Sequence, residues 1–316
     1  MKDKPIMKNL WRVALATIVM AVAAPALPVE IPDTPDGTFN VVARELANRH
    51  PEVLWHALPP SYQQDITELT HAFASRMPPT VWNSAFSLGR KAANLLRDKK
   101  SLILSSSMLE SAGENRRNLE DGWDPAISVL DGFFSSDVAR LETLKIIDWE
   151  DYLETTGRDL MNRAAEVSKA SGDDSFDRDF TQKLKETKIE VVSLEGDQAT
   201  VRVSAPEKEP EDVQLTRVEG RWVPSDMADE WDQNIADAKQ KLATISDEEI
   251  QQSSMQAMMM IGMIDGMLTE LESVETAEQL EQALQGFLGP FLGGNMGGGF
   301  MPEAPPSDTE SETVDS

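Results

Sequence analysis

The chain has 316 residues, a formal net charge of −26 and no cysteine. Without cysteine there are no disulfides, thiol nucleophiles, zinc–thiolate sites or iron–sulfur clusters. The charge repels nucleic acid and anionic lipid surfaces, so neither is an expected partner.

The first residues have the layout of a secretory signal. Lys2, Lys4, Lys8 and Arg12 give a basic start with one acid, Asp3, and residues 13–22 are apolar. Ala21-Val22-Ala23 and Ala24-Pro25-Ala26 both fit the small-x-small cleavage rule. A signal peptide over residues 1–26 is therefore expected, cut after Ala26 or Ala23, with Met7 as an alternative start. The apolar run is shorter than the roughly 20 residues a spanning helix needs, so no stable membrane anchor is expected after cleavage. No cysteine lies near the cut, which closes the lipoprotein route. The expected location is the bacterial periplasm or the medium. The mature chain carries a charge of about −29.

Residues 27–36 are rich in Pro and Asp and read as a linker. From 37 to 172 the pattern is helical. Phe39, Val42, Ala43 and Leu46 mark a first helix. Tyr62, Ile66, Leu69, Phe73 and Met77 mark a second, with Ser61 as its expected N-cap. Pro78 and Pro79 open a third with two adjacent apolar stripes, Val81–Ala85–Leu88–Ala92–Leu95 and Trp82–Phe86–Gly89–Ala93–Leu96. So wide an apolar arc predicts a central helix. Short helices are expected over 125–134 and 136–147. A longer one is expected over 149–170, with Leu153, Leu160, Ala164 and Val167 inward.

Residues 173–227 read as an amphipathic helix at 176–186 and then a change of period from 3.6 to 2. Strands are expected at 189–194, 199–204, 213–218 and 221–223. Glu195-Gly196-Asp197 and Glu219-Gly220 supply tight turns, and 206–212 a longer one. Helix returns over 228–288. Trp231, Ile235, Ala238, Leu242 and Ile245 share a face, and Ser246 with Glu249 and Thr276 with Gln279 form capping boxes. Gly289-Pro290 is the expected stop. The Gly-rich, acidic stretch 289–316 is expected to be disordered.

Candidate chemistry is sparse. Met255, Met258, Met259, Met260, Met263 and Met267 cluster, and Met255, Met259, Met263 and Met267 recur at four-residue steps on one helical face. Ile261, Ile264, Leu268 and Leu271 cover the neighbouring face. A helix apolar on most sides is expected to be enclosed by the core. The alternatives are an apolar groove for a partner or lipid and a soft Cu(I) site, since thioether sulfur suits that ion. Trp222 is expected to plug the sheet against helices, with a concave ligand face as the other option.

His50, His56 and His71 lack ligand spacing and read as helix-end or surface residues. The carboxylate pairs Asp148/Glu150/Asp151, Asp173/Asp174 and Glu248/Glu249 are frequent in so acidic a chain. Glycosidase-type chemistry would need two of them to face each other across a cleft. Asp121-Gly122-Trp123-Asp124 lacks the alternating oxygens of a calcium loop. Gly-x-Ser-x-Gly, phosphate-loop and dinucleotide signatures are absent, and no cofactor is expected.

One segment carries a resemblance. Residues 195–203 (EGDQATVRV) and 213–224 (VQLTRVEGRWVP) are similar to the meander of exported bacterial proteins with cystatin-like or nuclear transport factor 2-like (NTF2-like) curved sheets. With Asp226 to Trp231 following directly, the chain also resembles a group of exported bacterial proteins that combine this meander with flanking helices. The resemblance implies no catalytic residues.

The expected fold is α+β and mainly α-helical, with a small four-stranded antiparallel meander between an N-terminal helical region and a C-terminal helical hairpin. The expected role is non-enzymatic binding of an envelope protein or an apolar ligand. An acid-dependent envelope hydrolase and Met-based Cu(I) binding are the alternatives.

Overall fold

The computed structural model describes residues 30–107, 115–170 and 175–292. The signal segment, Asp173/Asp174 and the tail from 293 onward lie outside the described residues. Helix α1 (Pro35–Ala47) opens inside the stretch read as a linker, because Thr34 caps it by accepting from the Gly37 N–H at 3.2 Å and Pro35 presets its first turn. Then come α2 (Glu52–Ala57), α3 (Pro60–Arg76), α4 (Pro79–Asp98) and α5 (Lys100–Ser105). Ser61 does not cap α3. Its N–H instead donates to the Glu219 carboxylate at 2.9 Å, an acid brought from the sheet.

Helix α6 (Asn115–Ser135) passes through Pro125, where the sequence places a start. Its packing between α4 and the later α9 overrides the local cost of that proline. A short 3-10 turn (Asp137–Ala139) and α7 (Leu141–Leu144) replace the single helix expected over 136–147. Next, α8 (Trp149–Tyr152) and α9 (Arg158–Ala170) are joined by a π turn, Leu153–Gly157. That turn holds an extra residue and shifts the helical phase. Leu153 and Leu160 point inward as expected, but Ala164 is exposed and Ala165 is buried in its place.

Helix α10 (Ser175–Glu186) leads into the sheet: β1 (Lys188–Glu195), β2 (Gln198–Ser204), β3 (Glu211–Val218) and β4 (Arg221–Pro224). The strands lie in the order β1-β2-β3-β4, every pair antiparallel. Glu219 and Gly220 both take positive φ, 49° and 78°, as a two-residue hairpin of this hand requires. Ile189, Val203, Val201, Ala199 and Leu215 share one face and are buried against Phe39, Trp55, Tyr62 and Leu153. The fold is thus α+β and mainly helical, with one antiparallel sheet between N-terminal and C-terminal helices.

Three helices close the described chain: α11 (Ser225–Thr244), α12 (Asp247–Ser273) and α13 (Ala277–Leu292). The Ser246–Glu249 capping box forms, while α13 runs through Gly289 and Pro290. Pro290 falls in its last turn and leaves one intrahelical hydrogen bond unmade there. Helix α11 lies along α3 in the same direction. Trp231 stacks on Tyr62 with ring centroids 3.8 Å apart, and Lys239 bridges Asp65 and Glu68 at 2.9 Å each. Burial, with Asp232 and Glu219 nearby, pushes the Tyr62 hydroxyl up to about 12, so the ring stays neutral. Helix α12 continues along α4. Lys91 holds Asp265 at 2.7 Å, and Leu95 packs with Leu268 and Leu271 in a second, all-helical core.

Two glycines in these helices have opposite surroundings. A Cβ on Gly89 of α4 would come 2.2 Å from the Phe134 ring, whereas one on Gly262 of α12 would meet nothing within 4 Å. Gly89→Ala is expected to destabilise the fold by about 1–3 kcal/mol through overpacking. Gly262→Ala is expected to stabilise it by about 1 kcal/mol through helix propensity. Urea unfolding of both variants against the parent checks the two signs.

Candidate functional site

Helix α12 has two apolar faces. Ile250, Ala257, Ile261, Ile264, Leu268 and Leu271 recur at helical steps and turn toward α4. The opposite face carries Met255, Met259 and Met263, 64%, 73% and 50% exposed, with Met258 and Met260, 38% and 59% exposed, at its two edges. Gly262 and Gly266 lie on that same outer side, each with open space where a Cβ would stand. Met267 is half-buried and packs against the second core.

The helix is therefore not enclosed, contrary to the expectation from its all-round apolar pattern. The pattern reports two apolar faces, but the fold supplies a neighbour for one of them. Met255, Met259 and Met263 are on the surface, and of the four-residue series only Met267 turns toward the core. Large contiguous apolar patches are uncommon on the surface of a folded soluble protein.

The electrostatics of this face are distinctive. No charged residue occurs from 250 to 264. Exposed acids bracket the stretch: Asp247, Glu248 and Glu249 before it, and Asp265, Glu270 and Glu272 after it. The Ser246 backbone and hydroxyl hold the Glu249 carboxyl below its usual range, so this end stays anionic. Next to the start of the face, the α3–α4 and α11–α12 corners enclose an apolar groove of about 290 Å³. Phe73, Met77, Val81, Leu242, Ile245 and Ile250 line it. Arg76 ties the two corners together by donating to the Ile245 carbonyl.

A second polar feature lies at the π turn. Glu52, 1% exposed, pairs with Arg158, the first residue of α9. His50 Nδ1 lies 3.1 Å from Glu45 Oε2 and 3.9 Å from Glu52 Oε1. Glu52 Oε2 meets no hydrogen-bond partner among the described residues. Arg49, just before His50, has φ 63°. The sequence hints at this pair only through one acid directly before the run 53–58, which is apolar apart from His56, because its partner is 106 residues away.

The remaining sequence candidates are dispersed. Trp222 is 3% exposed and belongs to the main core, where it plugs the sheet rather than lining an open face. His56 Nε2 lies 3.7 Å from Glu150, and His71 Nε2 lies 3.4 Å from the Ile147 carbonyl. Asp148 caps α8 by accepting from the Glu150 and Asp151 N–H groups. Asp121 to Asp124 lie within helix α6. No group of three or more His, Asp or Glu side chains suited to a metal ion occurs among the described residues.

Neither a protein-family model, nor a curated protein, nor a solved structure matches this chain.

The Glu52–Arg158 pair gives a test of the scaffold beneath these features. Glu52→Ala leaves a buried guanidinium without its carboxylate and is expected to cost about 3–5 kcal/mol. The double change Glu52→Leu with Arg158→Met is expected to recover most of that loss. Urea midpoints of the two variants and the parent measure both effects.

Proposed function

We propose that this protein is exported from a bacterial cell and acts there without catalysis, by docking an amphipathic helical segment of a partner protein on the outer face of α12. The observation that carries the reading is the row of solvent-facing methionines on a helix whose other side is buried. Unbranched thioether side chains adapt to varied partners, which suits a docking face. The neutral stretch with acids at both ends matches a partner helix with an apolar face and basic flanks. The neighbouring groove can take one large apolar side chain of that partner.

The export part rests on the basic, apolar and small-residue order of residues 1–26 and on the meander's resemblance to exported proteins. Among the described residues no helix is long and apolar enough to cross a membrane. The hydrolase alternative draws less support. Of the carboxylates that suggested it, Asp148 and Glu249 serve as helix caps.

The test uses the full chain and two synthetic amphipathic helices, one of Leu and Lys and one of Leu and Glu, measured by calorimetry. The Leu/Lys helix is expected to bind and the Leu/Glu helix to fail. Met255→Gln, Met259→Gln and Met263→Gln together are expected to weaken binding at least about tenfold, since each buried Met is worth about 1.5–3 kcal/mol. The melting temperature of that variant should stay within a few degrees of the parent. Equal binding of both helices, or unchanged affinity in the triple variant, refutes the reading.

A further inference from the structure

The outer face of α12 has a second chemical property besides being apolar. The chain contains no cysteine, so thioether sulfur is its only soft donor. Five of its 15 methionines stand on this face and its two edges, 38% to 73% exposed. Met255, Met258 and Met259 occupy positions i, i+3 and i+4, whose Cβ atoms on a helix lie about 5–6 Å apart. A methionine side chain has three rotatable bonds, so its sulfur can reach over a range of positions. Three sulfurs at such spacing can converge on one ion. Met260, one residue on from Met259, points away from that triad.

We infer that the outer face of α12 is a soft-metal site that binds one Cu(I) ion through the thioether sulfurs of Met255, Met258 and Met259. Soft thioethers select Cu(I) over the harder divalent ions. The sulfurs are neutral, so the ion keeps its positive charge. The acids that bracket the face and the net charge of −26 stabilise that charge from a distance. No proton leaves a thioether on binding and no electron is transferred. Uptake is therefore independent of pH through the range in which histidine sites lose metal.

The same residues serve the proposed docking face, but the two properties separate chemically. Leucine keeps the apolar surface and nearly the volume of methionine, and it has no sulfur. The test is an anaerobic Cu(I) titration of the full chain against a competing chelator, read by the methyl resonances of its methionines. The Met255, Met258 and Met259 methyls are expected to shift, saturating at one ion per chain. Met259→Leu should weaken uptake by roughly tenfold or more. Met255→Leu, Met258→Leu and Met259→Leu combined should abolish the site while keeping the melting temperature within a few degrees of the parent. Affinity should be equal at about pH 5.5 and about pH 7.5, on either side of the ordinary histidine value. Unmoved methyls in the parent, undiminished uptake in the triple leucine variant, or a loss of affinity at the lower pH would each overturn the site. Cu(I) uptake by a parent chain that fails to bind the Leu/Lys helix would count against docking and not against the metal site.

Discussion

Tyr62 and Trp231 lie face to face, nearly parallel at 7°, and the position of the C-terminal helices follows from that contact. It docks the start of α11 on the start of α3. Lys239 then reinforces the pairing one stage further, where burial raises the Asp65 carboxyl but its bonds to Lys239 and Trp231 bring it below its usual range. At the far end Arg76 fixes the α11–α12 corner over the α3–α4 corner. With the corners stacked, α12 has one course open to it, along α4. Its inner apolar face is then consumed by Leu95 and the second core. Its outer face is left outside because no further helix of the described chain lies beyond it. The surface proposed as functional is thus a product of the scaffold.

Much of the scaffold is legible in the residues. The period-2 alternation of Ala199, Val201 and Val203 gives β2, and the register places the three on the buried side. Glu219-Gly220 marks its hairpin because few other pairs tolerate positive φ at both positions. Ser246 and Glu249 mark the start of α12, where both halves of the capping box form. These features depend on neighbours in sequence, and local chemistry is enough to reveal them.

What could not be read depends on distant partners. The π turn at Leu153–Gly157 leaves no periodic trace, yet it exchanges Ala164 for Ala165 on the buried side. The Glu52–Arg158 pair sits at the end of that turn and joins residues 106 positions apart. Above all, the exposure of Met255, Met259 and Met263 contradicts the simplest reading of an apolar helix. Periodicity counts the apolar faces of a helix but not the neighbours available to cover them. A sequence rule fails most readily at functional surfaces, and here it fails on the face proposed for docking.

The central claim is that the methionine face of α12 is open to solvent in the folded protein. Mild peroxide treatment of the native chain, followed by peptide mass mapping, tests it most directly, because thioether oxidation follows exposure. Met255, Met258, Met259, Met260 and Met263 are expected to take up oxygen well before the half-buried Met77, Met161, Met227 and Met267. Oxidation of the five at the same pace as Met161 and Met227 would contradict it.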